Sequence, residues 1–195
     1  MNLQIILASK SEVRKNILNK NGISCEVIAA NIDEESIKES LIKEKATPNI
    51  ISKNLAELKA NKISKKKPDI FVLGADSVVD LKGKLISKPK SREEALNILK
   101  ELNGKKHQLI SSVCISKNGS MIWNYTDKAA LTMKKMTIEN LKVYLEKIND
   151  EALYAYNVYQ IEGYGRHLFS KIEGDENTIM GLPVDKIKKY LKNYE

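Results

Sequence analysis

Three stretches of this chain combine residue types that handle phosphate with local sequence able to aim them. In Ser9-Lys10-Ser11-x-x-Arg14, two hydroxyls and a guanidinium follow an apolar run. A strand ending there and a helix starting there would present free backbone N–H groups and a positive dipole end, which suits an anion. Ser9 and Ser11 add donors, and Arg14 sits one turn into the helix. Asp76 lies just beyond residues 70–75 (IFVLGA), the most apolar run, where open α/β sheets place their ligands. A carboxylate there can hold Mg²⁺ or take a proton from water. Glu34, within Asp33-Glu34-Glu35, is a second candidate metal carboxylate. Lys88 precedes Pro89, which stiffens the loop and fixes where the ammonium points.

Each of these has an ordinary explanation beside the chemical one: a serine N-cap, an aspartate capping a strand, a solvated acidic loop, one surface lysine among 30. Lys59, read on the polar side of its helix, is unremarkable alone. His107 and His167 lie far apart and read as structural. Trp123 reads as core or subunit contact. Only Arg14, Arg92 and Arg166 supply guanidinium groups. In a lysine-rich chain, an arginine marks a place where a rigid fork of donors is needed. No Walker motif, dinucleotide-binding glycine pattern or nucleophile elbow is present.

The elements that would position these residues alternate. Residues 3–8 read as a buried strand, and Ser11 caps a helix over 12–21 that buries Val13, Ile17 and Leu18 and ends at Gly22. A strand follows over 24–30. Residues 49–63 read as a helix with Ile51, Leu55 and Leu58 on one face. Residues 70–75 form a central strand ending at Asp76, with Val78 and Val79 still extended and a turn at Lys82-Gly83. Ser91-Arg92-Glu93-Glu94 is a capping box for a helix running to Leu102. Residues 107–116 and 121–133 form a hairpin around Asn118-Gly119. Thr137 opens a helix that buries Ile138, Leu141, Leu145 and Ile148. A strand over 167–172 and a last helix carrying Val184, Ile187 and Leu191 complete the pattern. The class is α/β.

Composition narrows the setting. Apolar residues make up 42% of the 195, enough for a real core. The net charge of +8 favours polyanionic partners, although a lysine-rich surface gives the same figure. No basic helix or aromatic-rich platform supports a nucleic-acid binder. No apolar run is long enough to span a membrane, and the N-terminus lacks signal-peptide features. Cys25 and Cys114 fit neither a metal spacing nor a disulfide framework, so the expected compartment is the cytoplasm.

In order and spacing, the segments resemble the Maf family of nucleotide pyrophosphatases. The family's opening Leu-Ala-Ser-x-Ser-Pro-Arg-Arg corresponds to residues 7–14, LASKSEVR. Its Asp-Glu pair corresponds to Asp33-Glu34, its Leu-Ala-x-x-Lys-Ala to residues 55–60, and its Gly-Ala-Asp-Thr-Val-Val to residues 74–79. Lys88-Pro89, Gly104 to His107, residues 157–163 (NVYQIEG) and residues 177–183 (NTIMGLP) follow in the family's order. The resemblance implies one Maf-like domain over 1–195: a mixed twisted sheet with flanking helices and two lobes around a central cleft, as in the Maf/ITPase-like folds. It implies hydrolysis of the α–β phosphoanhydride of a nucleoside triphosphate with Mg²⁺, or alternatively Mn²⁺, and suggests a homodimer. By this carry-over Asp76 and Lys88 are catalytic, and Glu34 and Asp76 hold the metal. Ser9, Ser11, Arg14, Lys59 and Glu162 bind substrate.

The departures from the family pattern bear on the base. Val13 stands where the family has the first of two arginines, Ser77 where it has Thr, and Glu162 where it has Gln; Asn157 replaces a usual Gly. Members acting on 7-methyl-GTP lack that first arginine and carry Glu, so the chain leans towards that substrate, with dTTP or UTP as the alternative. A carboxylate accepts from guanine N1–H and the exocyclic amine and favours a cationic methylated base. The family is also linked to arrest of septum formation, so a regulator without catalysis is a further alternative.

Overall fold

A computed structural model describes residues 3–150, 153 and 158–194 of the chain. The elements run β1 (Ile5–Leu7), α1 (Glu12–Lys20), β2 (Glu26–Val27), α2 (Glu34–Lys43), α3 (Pro48–Ser64), β3 (Phe71–Leu81), β4 (Lys84–Ile86), α4 (Arg92–Leu102), β5 (Lys106–Lys117) and β6 (Ser120–Met133). After α5 (Ile138–Glu146) come a 3₁₀ turn (Tyr164–Leu168), β7 (Phe169–Glu173), α6 (Glu176–Ile179) and α7 (Val184–Leu191). The strands form one sheet in the order β2-β1-β3-β5-β6-β7, with β4 also on β3. β1 is parallel to β2 and β3, and the remaining pairs are antiparallel, so the sheet is mixed as expected. Among the described residues, no helix is long and apolar enough to cross a membrane.

Ser11 caps α1 and Ser91 caps α4, each side chain accepting from the backbone N–H three residues on. α3 begins one residue earlier than expected because Thr47 caps it and Pro48 supplies its preset φ. The acidic stretch read as a loop is instead the start of α2, with Asp33 as N-cap and Glu34 and Glu35 in the first turn, where carboxylates complement the dipole. α2 escaped the pattern because it buries no residue. Leu58 and Ile138 were expected inside and are exposed. The expected strand over 24–30 shrinks to Glu26–Val27, and the one over 167–172 starts after a 3₁₀ turn.

The largest correction concerns Asp76. β3 does not end there but runs eleven residues through it, held by β5 along Val72–Asp80. On the opposite edge of β3, β1 covers Phe71–Leu73 and β4 covers Val79–Leu81. Residues 74–78 between them have no strand neighbour on that edge. The ligand-bearing strand end is therefore that of β1, which turns away into α1 and leaves a gap in the sheet.

Apolar clusters lie on either side of this gap. One joins Val79 and Leu81 to α4, α5 and Phe169. Two others join β1 and the first half of β3 to α1, α7 and α3. Between the clusters a polar row crosses the sheet: Asp76 and Ser77 pair with Ser112 and Ser111, which pair with Thr126 and Asp127. The cleft opens where the row meets the gap.

Candidate active site

A cavity of about 510 Å³ fills the gap. All eight residues singled out from the sequence line it: Ser9, Ser11, Arg14, Glu34, Lys59, Asp76, Lys88 and Glu162. They come from the β1–α1 turn, α1, α2, α3, β3, the loop after β4 and the segment before the 3₁₀ turn.

Asp76 is 4% exposed and Lys59 7%. Lys59 thus lies on the buried side of α3, not the polar side that its periodicity suggested. Its Nζ donates to Asp76 Oδ1 at 2.8 Å and pairs with Glu34 Oε1 at 2.9 Å. Lys38, one turn along α2, stands 3.9 Å from Glu34 Oε2. Burial pushes the Glu34 carboxyl up, but Lys59 as charge and donor, with Lys38 and Lys88, more than offsets this, and its pKa is lowered. Asp76 Oδ2 is buried with no hydrogen-bond partner among the described residues. A buried acceptor left bare is costly, and such a group marks a place awaiting a ligand.

Helix α3 reaches this strand because Gly74 lets the backbones meet. A Cβ there would fall 2.1 Å from Ala56 O and 2.7 Å from Ala60 N. Ser52 Oγ also donates to Asp76 O at 3.1 Å.

Arg14 stands in the gap as a bracket. Nε donates to Gly181 O at 3.0 Å, and Nη1 to Ala75 O at 3.0 Å and Ser9 Oγ at 3.3 Å. Nη2 donates to Ser77 Oγ at 3.1 Å. Ser111 Oγ gives its proton to Thr178 O at 2.7 Å, so Ser77, 2.9 Å away, donates to Ser111. Gly181 N–H also donates to Thr178 O, closing a ring of hydrogen bonds. Four of the guanidinium's five N–H groups thus bind protein. Burial lowers the Arg14 pKa, against the attraction of Asp76 and Glu34.

Lys88 lines the cleft from the far side, next to buried Pro89. Desolvation by the cleft walls, then repulsion from Arg14, lower its ammonium's pKa against the pull of Glu34 and Asp76. Lys90, two residues on, pairs with Glu35 and ties this loop to α2. On the opposite rim, exposed Glu162 accepts from Gln160 Nε2 at 3.1 Å. Tyr159, which also lines the cavity, bonds buried His107 Nε2 at 2.9 Å. His167 does not line the cavity.

Sequence reasoning missed Lys38, because the helix that carries it was not read, and Ser111, Thr178 and Gly181, whose parts in the Arg14 ring follow only from the fold. Val13 packs against the apolar cluster under α1 and does not line the cavity. Of the departures that bear on base preference, Ser77 and Glu162 line the cleft and Val13 does not. Asn157 lies outside the described residues. Trp123 stacks on Tyr190 at 4.8 Å and is half-buried against the same apolar cluster.

The cleft therefore sets two carboxylates beside a cationic wall, with one carboxylate oxygen bare. Comparisons with known proteins bear on the family and the fold. The family model described as Maf-like protein matches residues 4–194. A protein of Pelagibacter ubique named nucleoside triphosphate pyrophosphatase is 73% identical, with 97% of each chain covered. One of Brucella abortus named 7-methyl-GTP pyrophosphatase is 36% identical over 94% of this chain and 92% of its own. Among solved structures, a HAM1 protein from Coxiella burnetii shares the fold at TM-score 0.54 and 12% identity, with 98% of this chain and 99% of that one covered.

Proposed function

The chain belongs to the Maf-like protein family, and from that membership and the cleft we propose that it is a nucleoside triphosphate pyrophosphatase, converting a nucleoside triphosphate and water into a monophosphate and pyrophosphate. The observation that carries the reading is the buried, unpartnered Asp76 Oδ2 in a cleft that Arg14, Lys38 and Lys88 also line.

In this reading Asp76 takes a proton from water as its oxygen attacks the α-phosphorus. The bond from that phosphorus to the α–β bridging oxygen breaks, and pyrophosphate leaves with the bond's electron pair. Charge grows on the leaving oxygens, so fixed cations aimed at them lower the barrier. Lys88, Lys38 and the Ser9–Ser11 turn at the start of α1 face that region. Arg14 holds Ser9 and the 74–78 edge of β3 in place and keeps one N–H for a phosphate oxygen.

The donor set fits a hard divalent cation such as Mg²⁺. Mg²⁺ takes one or two carboxylates and completes its shell with phosphate oxygens and water. Asp76 and Glu34 supply the two, and no third His, Cys, Asp or Glu joins them among the described residues. When bound, the cation neutralises phosphate charge and acidifies nearby water.

For the base, the reading is a modified guanine such as that of 7-methyl-GTP, with Glu162 accepting from N1–H and the exocyclic amine. It includes a cytoplasmic setting, supported by the free Cys25 and Cys114. It also includes a homodimer, supported by the ladder of Tyr125, Trp123, Tyr190 and Tyr194. The test is pyrophosphate release from a panel of UTP, dTTP, CTP, GTP and 7-methyl-GTP with Mg²⁺. Release from 7-methyl-GTP above the others, lost in Asp76→Asn, is expected. Preference for UTP or dTTP keeps the enzyme and overturns the base; no release from any nucleotide overturns the reading.

A further inference from the structure

Building on that reading, we propose that Lys59 is a tethered stand-in for the divalent cation, which keeps the metal site closed until a nucleotide arrives. Its ammonium lies 2.8 Å from Asp76 Oδ1 and 2.9 Å from Glu34 Oε1. A positive charge between those two carboxylates supplies part of the neutralisation that a divalent cation would supply.

The three groups are not held equally. The backbone that carries Lys59 is firmly seated, because α3 lies directly on β3 at Gly74 and Ser52 Oγ bonds the Asp76 carbonyl. Glu34 sits on α2, which buries no residue, and its side chain is 42% exposed. Asp76 Oδ2 remains bare. A divalent cation approaching Oδ2 without nucleotide meets a carboxylate already paired with an ammonium. Attraction is reduced and like charges repel.

A triphosphate reverses that balance. It adds several negative charges among Lys59, Lys88, Lys38 and Arg14, giving the ammonium other anions to face. It also offers the cation phosphate oxygens. Metal and nucleotide therefore favour each other's binding, and by linkage the factor is the same in both directions. A free protein that loads little metal avoids activating water before there is a phosphorus for it to attack.

The test measures Mn²⁺ binding to the full chain from the electron paramagnetic resonance of free Mn²⁺. It is run without nucleotide and with a non-hydrolysable α,β-methylene triphosphate analogue. Lys59→Met removes the charge, and Lys59→Gln removes it while keeping a donor for Asp76, in case the first variant folds poorly. Both should bind Mn²⁺ without nucleotide about tenfold more tightly than the native chain, and the analogue should improve their affinity less. Adding Asp76→Asn should erase the gain. Unchanged or weaker Mn²⁺ binding in both Lys59 variants overturns the proposal. If Asp76→Asn still weakens Mn²⁺ binding with the analogue, the metal reading survives that failure. If Asp76→Asn has no effect in any background, the metal reading itself fails and this proposal with it.

Discussion

Arg14 Nε donates to the carbonyl of Gly181 at 3.0 Å across 167 positions of sequence. This one bond links the first helix to the segment before the last, over the gap beside β3. Gly181 has φ +97°, and a Cβ there would sit 3.0 Å from Ser77 Oγ and 3.3 Å from Arg14 Nε. Gly181→Ala should therefore push the guanidinium out of its ring and lower kcat/KM about tenfold or more, since small misplacements at a reacting centre cost that much. Arg14→Lys keeps the charge but not the fork, and should lose at least as much. Full activity in both variants would show that the ring is dispensable.

Gly74→Ala tests the seating of α3. The added methyl would meet Ala56 O at 2.1 Å, and backbone cannot yield as a side-chain tip can. The expected loss is roughly 1–3 kcal/mol in urea unfolding, the usual cost of overpacking. Activity should fall as well, because the helix that moves away carries Lys59. Native stability would mean that α3 and β3 are less closely apposed.

The lowered pKa of Lys88 makes a prediction about the alkaline side of the rate profile. As pH rises through that value the ammonium loses its proton and its pull on phosphate. The alkaline limb of kcat/KM should thus begin below the ordinary lysine value of 10.5. Lys88→Arg, which stays charged, should move the limb upward even if the maximum rate falls. An unmoved limb would assign it to another group.

His107 predicts how stability depends on acid. Burial depresses its pKa from 6.5 to about 4, so the fold holds it neutral. Below pH 6.5 the unfolded chain takes up a proton that the folded one refuses, and stability falls until about pH 4, where the folded form titrates too. The contribution lost over this window is on the order of 2–3 kcal/mol. Thermal melts between pH 7 and pH 4 should show a steeper decline for the native chain than for His107→Phe. Parallel declines would refute this.

Much of the site was legible because its residues lie in short runs where strand, turn and helix signals coincide. Ser9, Ser11 and Arg14 were readable from one cap and one apolar run. Asp76 was found for a reason that the fold corrects. Its position after an apolar run suggested a strand end, whereas β3 continues because β5 carries it on. The run turns polar at Asp76 and Ser77 because the row crossing the sheet is polar there. Lys59 was misplaced for a related reason. A lysine at a buried helix position breaks the apolar pattern, and only the carboxylates of α2 and β3, distant in sequence, explain it. α2 left no periodic trace because it faces solvent, and Lys38 went unseen with it. Ser111, Thr178 and Gly181 are small residues joined through backbone carbonyls, which carry no sequence signal.

The three long strands β3, β5 and β6 pass without a break from one apolar cluster to the other. Each strand consequently contributes to both clusters. Severing the chain at any of these strands strips both halves of their inner wall at once. Melting should therefore proceed as one event that takes the cleft with it.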